Sequence, residues 1–577
     1  MSIKVLLACA LALASTAGAS PVNQVVFGEP AAVHVENAGL PKIPHKKFNP
    51  LDHMSGIAPY HDAPRANITP PDSCAVVAAA FLIRHSSIYA NDDEWEEYMS
   101  PFADRVKQAQ KSGDLSFPDN SPLAFLADWS CPINDDNLEK VTEPGIEDAY
   151  QLGKRFRELY GQLMPPKNLG KKGHRHHGGE DRKKRKDRSA RARRRERREA
   201  KEMRMKKPKV PFKVWSASSG RDVDTSKAWV RGAFPHWQEG KDGEGDSQVV
   251  KLVAVPNKVG LSLGGKPCKK VGLTLVWEQD PNWSNSLTPH KICDAFTKEA
   301  GKPEAQAWLN TYGPPIVERL NGLVNGISFE LNDVIAMQML CGYETVIYDR
   351  RTSAFCSNAL FQDDEFRSFG YWNDLHYHAF VGYGSKVAPY LGAQWLNVST
   401  HNLLSAYAPK HPHPDPIPTT LLGKLAAFFK SKLPAPTLPP DATHTQLLFP
   451  YFTHREEPPV ALVALGLWNT TTEQLPTDSM PKDRLWKTSH LLPFLGHVAI
   501  ERLSCDAPPQ HSSLTTAARG RKEEYIRVMV NGAPQPLGEC QDGPGGSCKM
   551  DEFAQFVERR MELYGDISGA CKKEEEA

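Results

Sequence analysis

Three stretches of the chain share one pattern, an apolar run that stops at basic and histidine residues. The first run, "CAVVAAAFLI", starts at Cys74 and is followed by Arg84 and His85. Its apolar and polar positions do not alternate, which is typical of a strand covered on both faces in a parallel sheet. The pattern therefore predicts a buried strand whose carboxyl end presents a cation and an imidazole side by side.

The second stretch, "FKVWSASSGRDVDTSKAWV", repeats this design. Residues 212–216 predict a strand, residues 218–220 a turn, and the residues from Asp222 onward a helix. Arg221 lies at the junction between turn and helix. This junction also places a basic side chain at the carboxyl end of a strand.

The third stretch, "QLLFPYFTHREEPPVALVALGLW", predicts a strand over residues 446–452. His454, Arg455 and Glu456 follow the strand, and Pro459 fits the first turn of a helix that runs to Trp468. In open parallel sheets, ligand sites lie at the carboxyl ends of the strands. We therefore expect one pocket that collects four side chains, namely Arg84, His85, Arg221 and His454.

The chemistry of these four side chains indicates a pocket for a phosphate-like anion. Guanidinium groups bond two oxygens of a phosphate at once and stay charged at any relevant pH. An imidazole can attack phosphorus, and a carboxylic acid can protonate the leaving alcohol. One such junction alone is more typical of an ordinary surface pair, whereas three matched junctions favour a site.

The helical patterns between the second and third stretches complete the predicted fold. Residues 240–406 are mostly helical in pattern and predict a helical cap inserted into an α/β domain, whose central, mostly parallel sheet is flanked by helices. The α/β domain is predicted in three parts, over residues 71–164, 210–239 and 445–571. At 577 residues the chain is too long for one compact unit.

The remaining segments are predicted to lie outside these domains. Residues 1–19 resemble a secretory signal whose apolar run is too short to anchor the chain in a membrane, and residues 20–70 form an N-terminal extension. A basic insert over residues 165–209 contains 21 Lys or Arg and 6 Asp or Glu, although the whole chain has a net charge of only +2. A proline-rich insert covers residues 407–444.

The basic insert leaves two interpretations open. Such a run lacks the apolar residues needed for packing, which favours a solvated loop. Clustered Arg can also bind polyanions through counterion release. The secretory signal argues against a nuclear role, so we expect no nucleic-acid partner.

Cysteine and asparagine patterns agree with secretion to the cell wall or the medium. Ten cysteines remain after the signal, and an even number in an oxidising compartment indicates disulfides rather than metal sites. Four sequons predict glycosylation at Asn67, Asn282, Asn397 and Asn469. No metal and no cofactor are expected.

The three junctions resemble those of the histidine acid phosphatases, which include the fungal phytases. The Arg-His-Gly-x-Arg-x-Pro motif of this family falls on residues 84–90. Arg221 and His454 match the later phosphate-clamping Arg and the second His of the family. The stretches "CGYETV" (341–346) and "LLPFLGHVAIERLSC" (491–505) are also similar to the family, and the resemblance covers most of the chain from Pro71 to Cys571.

The resemblance implies specific roles for the site residues. His85 is the nucleophile that forms a phosphohistidine, and Arg84, Arg221 and His454 surround the phosphoryl group. It also implies the phosphoglycerate-mutase-like fold with a cap. The family pattern of disulfides, with one further pair assigned by elimination, gives Cys74–Cys505, Cys341–Cys356, Cys540–Cys548, Cys293–Cys571 and Cys131–Cys268.

Two departures from the family motif bear on activity. Ile88 stands where the motif has its second Arg, and loss of such a clamp costs about 10²–10³ in rate if nothing replaces it. Arg455 stands where the family usually has the Asp that donates a proton. Glu456 is one residue further on, as in the inositol-polyphosphate branch, and it is the predicted proton donor.

These departures leave two functions open. The first is a secreted acid phosphatase that acts on small phosphomonoesters, with phytate as a permitted but not the preferred substrate, because the segment "FQDDEFRSFGYWNDLHYH" is expected to place acidic side chains near the mouth of the cleft. The alternative is a secreted pseudoenzyme that binds phosphoesters or polyanions without turnover.

Overall fold

The computed structural model describes residues 48–165, 211–235, 237, 250–255, 287–349, 351–406, 446–469, 474–507 and 522–572. Several predicted features lie outside these residues: the signal, residues 20–47 of the extension, and both inserts apart from Pro165, which is described. Asn282 and Cys268 also lie outside them. The predictions made for those segments therefore stay predictions.

An eight-stranded mixed sheet forms the centre of the fold, with the strand order β3-β2-β4-β1-β5-β6-β7 and β8 paired to β6. Strands β3, β2, β4 and β1 run parallel, and the other pairings are antiparallel. The strands are β1 (Cys74–Arg84), β2 (Phe212–Ala217), β3 (Val250–Val255), β4 (Leu448–Thr453), β5 (His497–Asp506), β6 (Lys522–Val530), β7 (Ala533–Gln535) and β8 (Cys548–Lys549).

Helices cover the sheet and fill the long connection between β3 and β4. A π-helical turn over Trp95–Met99 joins the first two α-helices. The α-helices are α1 (Asp92–Glu94), α2 (Ser100–Ser112), α3 (Glu143–Leu159), α4 (Gly220–Ala233), α5 (Lys302–Tyr312), α6 (Pro314–Asn321), α7 (Leu331–Ile347), α8 (Asp363–Val381), α9 (Ala388–Ser405), α10 (Glu457–Ala464), α11 (Met550–Tyr564) and α12 (Ile567–Ala570).

Strand β1 is buried on both faces, as its unbroken apolar run predicts. Phe81 and Ile83 lie in one core cluster with Phe156 of α3 and Trp229 of α4. The alternate residues, such as Leu82, are equally buried but outside that cluster, and helices α9 and α10 contact β1. The α/β prediction is confirmed, and β1, β2 and β4 lie where the three apolar runs predict them.

The predicted range of the cap, residues 240–406, was too wide at both ends. Strand β3 lies inside this range but pairs in register with β2, from Phe212 opposite Val250 to Ala217 opposite Val255. Helix α9 packs on β1 and α10, so it flanks the sheet. A six-residue strand between long helical patterns is too short a signal to move a boundary, which explains the error.

Four disulfides join described cysteines, and they are the four that the family pattern implies: Cys74–Cys505, Cys293–Cys571, Cys341–Cys356 and Cys540–Cys548. Cys131 is the one described cysteine outside these pairs. Its predicted partner, Cys268, lies outside the described residues. The predicted Cys131–Cys268 bond therefore stays a prediction.

The sequons differ in their exposure. Asn67 and Asn469 are exposed, and both stay predicted glycosylation sites. Asn397 lies within α9 and is only 5% exposed. A glycan on this side chain would have to displace the helix from the core, so the prediction of glycosylation at Asn397 was wrong.

No helix in the described ranges is both long and apolar enough to cross a lipid bilayer.

Helices α3 and α4 approach each other closely through two glycines. A Cβ atom added to Gly153 would lie 2.1 Å from the carbonyl oxygen of Trp229, and one added to Gly232 would lie 1.9 Å from that of Tyr150. Real Cβ atoms do not come that close to backbone oxygens. Because glycine has no side chain, Gly153 and Gly232 allow this close approach and so set the position of α4, the helix that begins with Gly220 and Arg221.

We predict that Gly232→Ala lowers the free energy of unfolding by about 1–3 kcal/mol, because the added methyl group forces two packed backbones apart. Thermal unfolding monitored by circular dichroism measures this change. Gly538→Ala is the matched control, since an added Cβ meets nothing within 4 Å there. Equal unfolding temperatures for the two variants would contradict the close-packing argument.

Candidate functional site

His85 lies directly after β1, where β1 and its parallel neighbour β4 both end. Its backbone N–H donates to the carbonyl of Thr453 at 2.9 Å, and its Nδ1 lies 2.9 Å from the carbonyl of Ser86. Because a carbonyl only accepts, Nδ1 carries the proton and Nε2 keeps its lone pair. Nε2 is buried and has no hydrogen-bond partner among the described residues.

The surroundings keep the His85 imidazole neutral. Burial lowers its pKa well below the usual value, and the positive charges of Arg84 and Arg221 lower it further. A neutral ring with a fixed proton on Nδ1 and an unpartnered Nε2 is the state in which histidine acts as a nucleophile.

Arg84, the last residue of β1, is completely buried. Its Nη1 donates to the carbonyls of Gly56 and Leu492, and its guanidinium lies over the ring of Phe494, 4.4 Å from the centroid. Burial lowers the pKa of Arg84 to about 10, so the group remains charged at acid and neutral pH. Its Nε and Nη2 find no hydrogen-bond partner in the described part of the chain.

Arg221 extends from the first turn of α4 and is held by a carboxylate. Its Nη1 lies 2.5 Å from Oε1 of Glu139. Burial alone would lower its pKa, but Asp222 and Glu139 outweigh this effect and raise it. A carboxylate therefore already occupies one side of this guanidinium, while its buried Nε has no hydrogen-bond partner among the described residues.

His454 follows β4 and faces His85, with the two ring centroids 6.5 Å apart. Its Nε2 lies 3.1 Å from the hydroxyl of Ser219, at the start of α4. Its Nδ1 lies 2.7 Å from Oδ2 of Asp222, a close contact without the alignment of a hydrogen bond. The side chains predicted from the three junctions thus lie at one edge of the sheet.

The two departures from the family motif have different structural consequences. Ile88 is fully buried and pairs with Val141 in an isolated β-bridge, so it contributes packing only. Arg455 is buried, and its guanidinium binds Glu94 through Nη1 and Asp93 through Nη2, the latter at 2.8 Å. Its Nε also lies 3.6 Å from Oε1 of Glu456. The positive charge of Arg455 is therefore present in the site but already paired with three carboxylates.

Arg455 and Glu94 belong to a larger buried network. The hydroxyl of Tyr343 on α7 also donates to Glu94. Burial opposes the charge of Arg455, but Tyr377, Asp93 and Glu94 raise its pKa well above the usual value. The network ties the segment after β1 to the turn after β4.

Glu456, the predicted proton donor, lies in a second buried group of charges. Burial raises its pKa, but His290, Arg455, His454 and Arg221 together lower it strongly. Its Oε2 has no hydrogen-bond partner within the described ranges. In the free protein this carboxyl is therefore ionised, the form that accepts a proton.

His290 and Glu457 complete this second group. Nδ1 of His290 lies 2.5 Å from Oε1 of Glu457, and both side chains are buried. Ligand atoms of His290, Glu456 and Glu457 all lie within 4.8 Å of one another, which is the arrangement of a possible metal site. However, two atoms bound to one tetrahedral zinc are about 3.3 Å apart, so the 2.5 Å contact indicates a shared proton instead.

Carboxylates outnumber guanidinium groups around His85. The guanidinium groups belong to Arg84, Arg221 and Arg455, and six carboxylates lie among or next to them: Asp93, Glu94, Glu139, Asp222, Glu456 and Glu457. A charge balance of this kind disfavours substrates that carry several phosphates.

The source of this acidity differs from the prediction. The sequence predicts acidic side chains of the segment that became α8 near the mouth of the cleft. Instead, Asp374 is buried against Arg484 and Thr488, and Glu365 binds Arg319. For these two side chains the prediction was wrong, because the acidic composition of a segment does not show which charges pair within a helical layer.

Sequence reasoning missed the acidic partners of the site and His290. Asp93 and Glu94 carried a signal, since they follow His85 within ten residues. Asp222 adjoins Arg221 and Glu457 adjoins Glu456, so adjacency also pointed to them. Nothing local marked His290 or Glu139, which come from separate connections.

Comparisons with known proteins agree with this arrangement. A family model described as the histidine phosphatase superfamily (branch 2) matches residues 203–531. A phytase from Candida albicans is 23% identical over 534 residues, covering 90% of this chain and 86% of that protein. An acid phosphatase from Komagataella pastoris is 21% identical over 532 residues, covering 91% of this chain and 87% of that protein.

A solved structure shows a similar fold. The crystal structure of a phytase from D. castellii matches with a TM-score of 0.61 at 20% identity, covering 95% of this chain and 92% of that chain. At this level of identity the match supports the fold and not the details of the site.

We predict that the ring of His85 stays neutral between about pH 5 and 7, because burial and two guanidinium groups lower its pKa. The check is an NMR titration of ring-labelled histidines, with the His85 signals identified by their loss in His85→Gln. A His85 signal that titrates near pH 6.5 would contradict the described electrostatics.

Proposed function

Because the chain belongs to the histidine phosphatase superfamily (branch 2), we propose that it hydrolyses phosphomonoesters through a phosphohistidine on His85. The observation that carries this proposal is the state of His85. Its Nδ1 proton is held by the Ser86 carbonyl, while Nε2 is buried and has no hydrogen-bond partner among the described residues. An imidazole held this way presents a lone pair and cannot turn it away from a bound phosphoryl group.

The first chemical step transfers the phosphoryl group to the protein. Nε2 of His85 attacks phosphorus, the bond from phosphorus to the ester oxygen breaks, and the leaving oxygen takes a proton from the carboxyl group of Glu456. Arg84 offers its unpartnered Nε and Nη2 to the phosphoryl oxygens. Arg221 exchanges the carboxylate of Glu139 for a phosphoryl oxygen.

The second step regenerates the protein. Water attacks phosphorus, the bond from phosphorus to Nε2 of His85 breaks, and the carboxylate of Glu456 takes the proton of the water. His454 contributes a polar ring on the opposite side of the phosphoryl group, 6.5 Å between ring centroids from His85. Inorganic phosphate then leaves, and the site returns to its initial protonation state.

The charge balance indicates which phosphomonoesters fit. Arg455 brings a positive charge close enough to act on Arg84, but Asp93 and Glu94 neutralise it. A small monoester brings one phosphate to Arg84 and Arg221, whereas phytate also brings further phosphates toward the acidic pair. We therefore propose small phosphomonoesters as the preferred substrates and phytate as a poor one, although relatives include proteins named phytase.

Secretion is part of the proposal. Four disulfides occur among the described cysteines, and such bonds persist in oxidising compartments. The exposed sequons at Asn67 and Asn469 are compatible with a glycoprotein. The predicted signal at residues 1–19 would direct the chain there.

We predict that His85→Ala lowers kcat for 4-nitrophenyl phosphate at acid pH by at least about a thousandfold, because the nucleophile is removed. Wild-type protein incubated with radiolabelled substrate and quenched in alkali should carry label that is stable in base and labile in acid, as expected for phosphohistidine. His378→Gln, a buried histidine next to Trp486, is the matched control and should keep its activity. Equal, negligible rates for wild type and His85→Ala would favour the pseudoenzyme.

A second prediction concerns substrate choice. Replacing Asp93 and Glu94 together by Asn and Gln removes two negative charges and releases Arg455, so kcat/KM for phytate should rise by about tenfold or more relative to glycerol 2-phosphate. Asp363→Asn with Asp364→Asn is the charge-matched control on the first turn of α8. The same change in preference for both double variants would show that net charge, and not this acidic pair, sets the preference.

A further inference from the structure

Glu456 presents a difficulty for the proposed reaction. Protonation of the leaving oxygen needs a carboxylic acid, but the charges around Glu456 lower its pKa strongly, so the free protein holds a carboxylate there. The proton must therefore be stored on another group that lies close to Glu456. Among the described residues the ring of His290 is such a group, because ligand atoms of His290, Glu456 and Glu457 all lie within 4.8 Å of one another.

His290 is positioned by covalent and polar contacts. It lies in a short 3-10 turn, Pro289–Ile292, which ends at Cys293 and its disulfide to Cys571. Its Nδ1 lies 2.5 Å from Oε1 of Glu457. Thr453 at the end of β4 holds the other oxygen of Glu457 at 3.1 Å. The ring is therefore fixed relative to the strand end that presents His454 and Glu456.

The charges around His290 favour its protonated form. Burial opposes the charge, but Glu457 and Glu456 outweigh burial and Lys291, and they raise the pKa of His290. The ring of His454 lies 5.9 Å away between centroids. Helix α9 packs on the same turn, and its own titratable side chains are Tyr390 and His401.

We propose that His290 is a positioning residue that stores the proton which Glu456 delivers to the leaving oxygen. This inference rests on the proposed phosphatase function. When the phosphate of a substrate arrives, its negative charge raises the proton affinity of the neighbouring carboxylate. The N–H bond of His290 breaks and the O–H bond of Glu456 forms, either directly or through Glu457, so that imidazolium and carboxylate become imidazole and carboxylic acid.

The balance of protons closes over one turnover. Glu456 gives its proton to the leaving alcohol in the first step and recovers one from water in the second. After phosphate has left, the proton returns from Glu456 to His290. No other reactant enters this balance, because the proton moves only among His290, the two carboxyl groups, the leaving alcohol and water.

The proposal has a consequence for the pH dependence of turnover. In wild type the alkaline limb of the pH profile of kcat, where kcat falls with rising pH, follows the loss of the His290 proton. Without His290 the proton must reside on a carboxyl group, so the limb should move to lower pH by about one to two units, the difference between ordinary His and Glu pKa values being about 2.2. The shift should appear only with esters whose leaving group needs a proton.

The experiment compares wild type and His290→Gln on two substrates across pH. The leaving group of glycerol 2-phosphate is an alkoxide, which needs the proton, whereas the leaving group of 4-nitrophenyl phosphate is a stable phenolate. With glycerol 2-phosphate we expect the alkaline limb of His290→Gln to lie at lower pH than that of wild type. At about pH 6.5 its kcat should be about 10–100-fold lower. With 4-nitrophenyl phosphate the loss should be much smaller, and His378→Gln should behave as wild type with both esters.

Other outcomes would overturn the inference. Equal losses with both esters and no movement of the limb would give His290 a purely structural role. A wild type that hydrolyses neither ester would overturn the proposed function and this inference with it, whereas an active wild type with an unchanged limb in His290→Gln overturns the inference alone.

A direct measurement covers the case in which His290→Gln does not fold. In wild-type protein with ring-labelled histidines, the His290 signal should titrate above the ordinary pH of about 6.5. Glu457→Gln removes its ionic partner and should lower that pKa. A His290 signal that titrates below the ordinary value in wild type would overturn the inference.

Discussion

The structure depends on the burial of positive charge at the carboxyl ends of two adjacent parallel strands. Arg84 ends β1 and is completely buried, yet only one of its three nitrogens has hydrogen-bond partners in the described part of the chain. A buried, charge-bearing donor without a partner is costly. A bound ligand removes this cost if it supplies the missing acceptors. The oxygens of a phosphoryl group would supply one acceptor each for Nε and Nη2. Burial and the same charge keep His85 neutral, so the proposed phosphate clamp and the proposed nucleophile have one origin.

Much of this site could be predicted from sequence because it is built from local junctions. An apolar run followed by Arg84 and His85 indicates a buried strand and its carboxyl end without knowledge of anything else. The parallel sheet then requires such ends to meet, which brings in Arg221 and His454. Strand β3 was missed for the opposite reason, since a six-residue strand among helical patterns has no local signal strong enough to outweigh them.

The partners of the cations could not be predicted in the same way. Glu139 reaches Arg221 from the connection before α3, and His290 reaches Glu457 from the connection after β3. Neither contact leaves a periodicity or a fixed spacing in the sequence, because each depends on how distant connections pass over the strand ends. Arg455 shows the limit most clearly. The sequence places a cation two residues after β4, but only the fold shows that Asp93 and Glu94 neutralise it.

The exchange of Ile88 and Arg455 follows from the register of the sheet. Arg84 pairs with Thr453 across the parallel strands, so residues shortly after either strand enter the same region. A positive charge lost after β1 can therefore be regained after β4 without a change of fold. The regained charge comes with carboxylates, however. Burial raises the pKa of Asp93, but Arg455 and Lys298 outweigh burial and lower it, and the charges around Glu456 lower the pKa of that carboxyl strongly. These two carboxylates therefore stay ionised in acid and keep competing with a phosphate for the guanidinium groups, while the lowered pKa of His85 keeps the proposed nucleophile unprotonated.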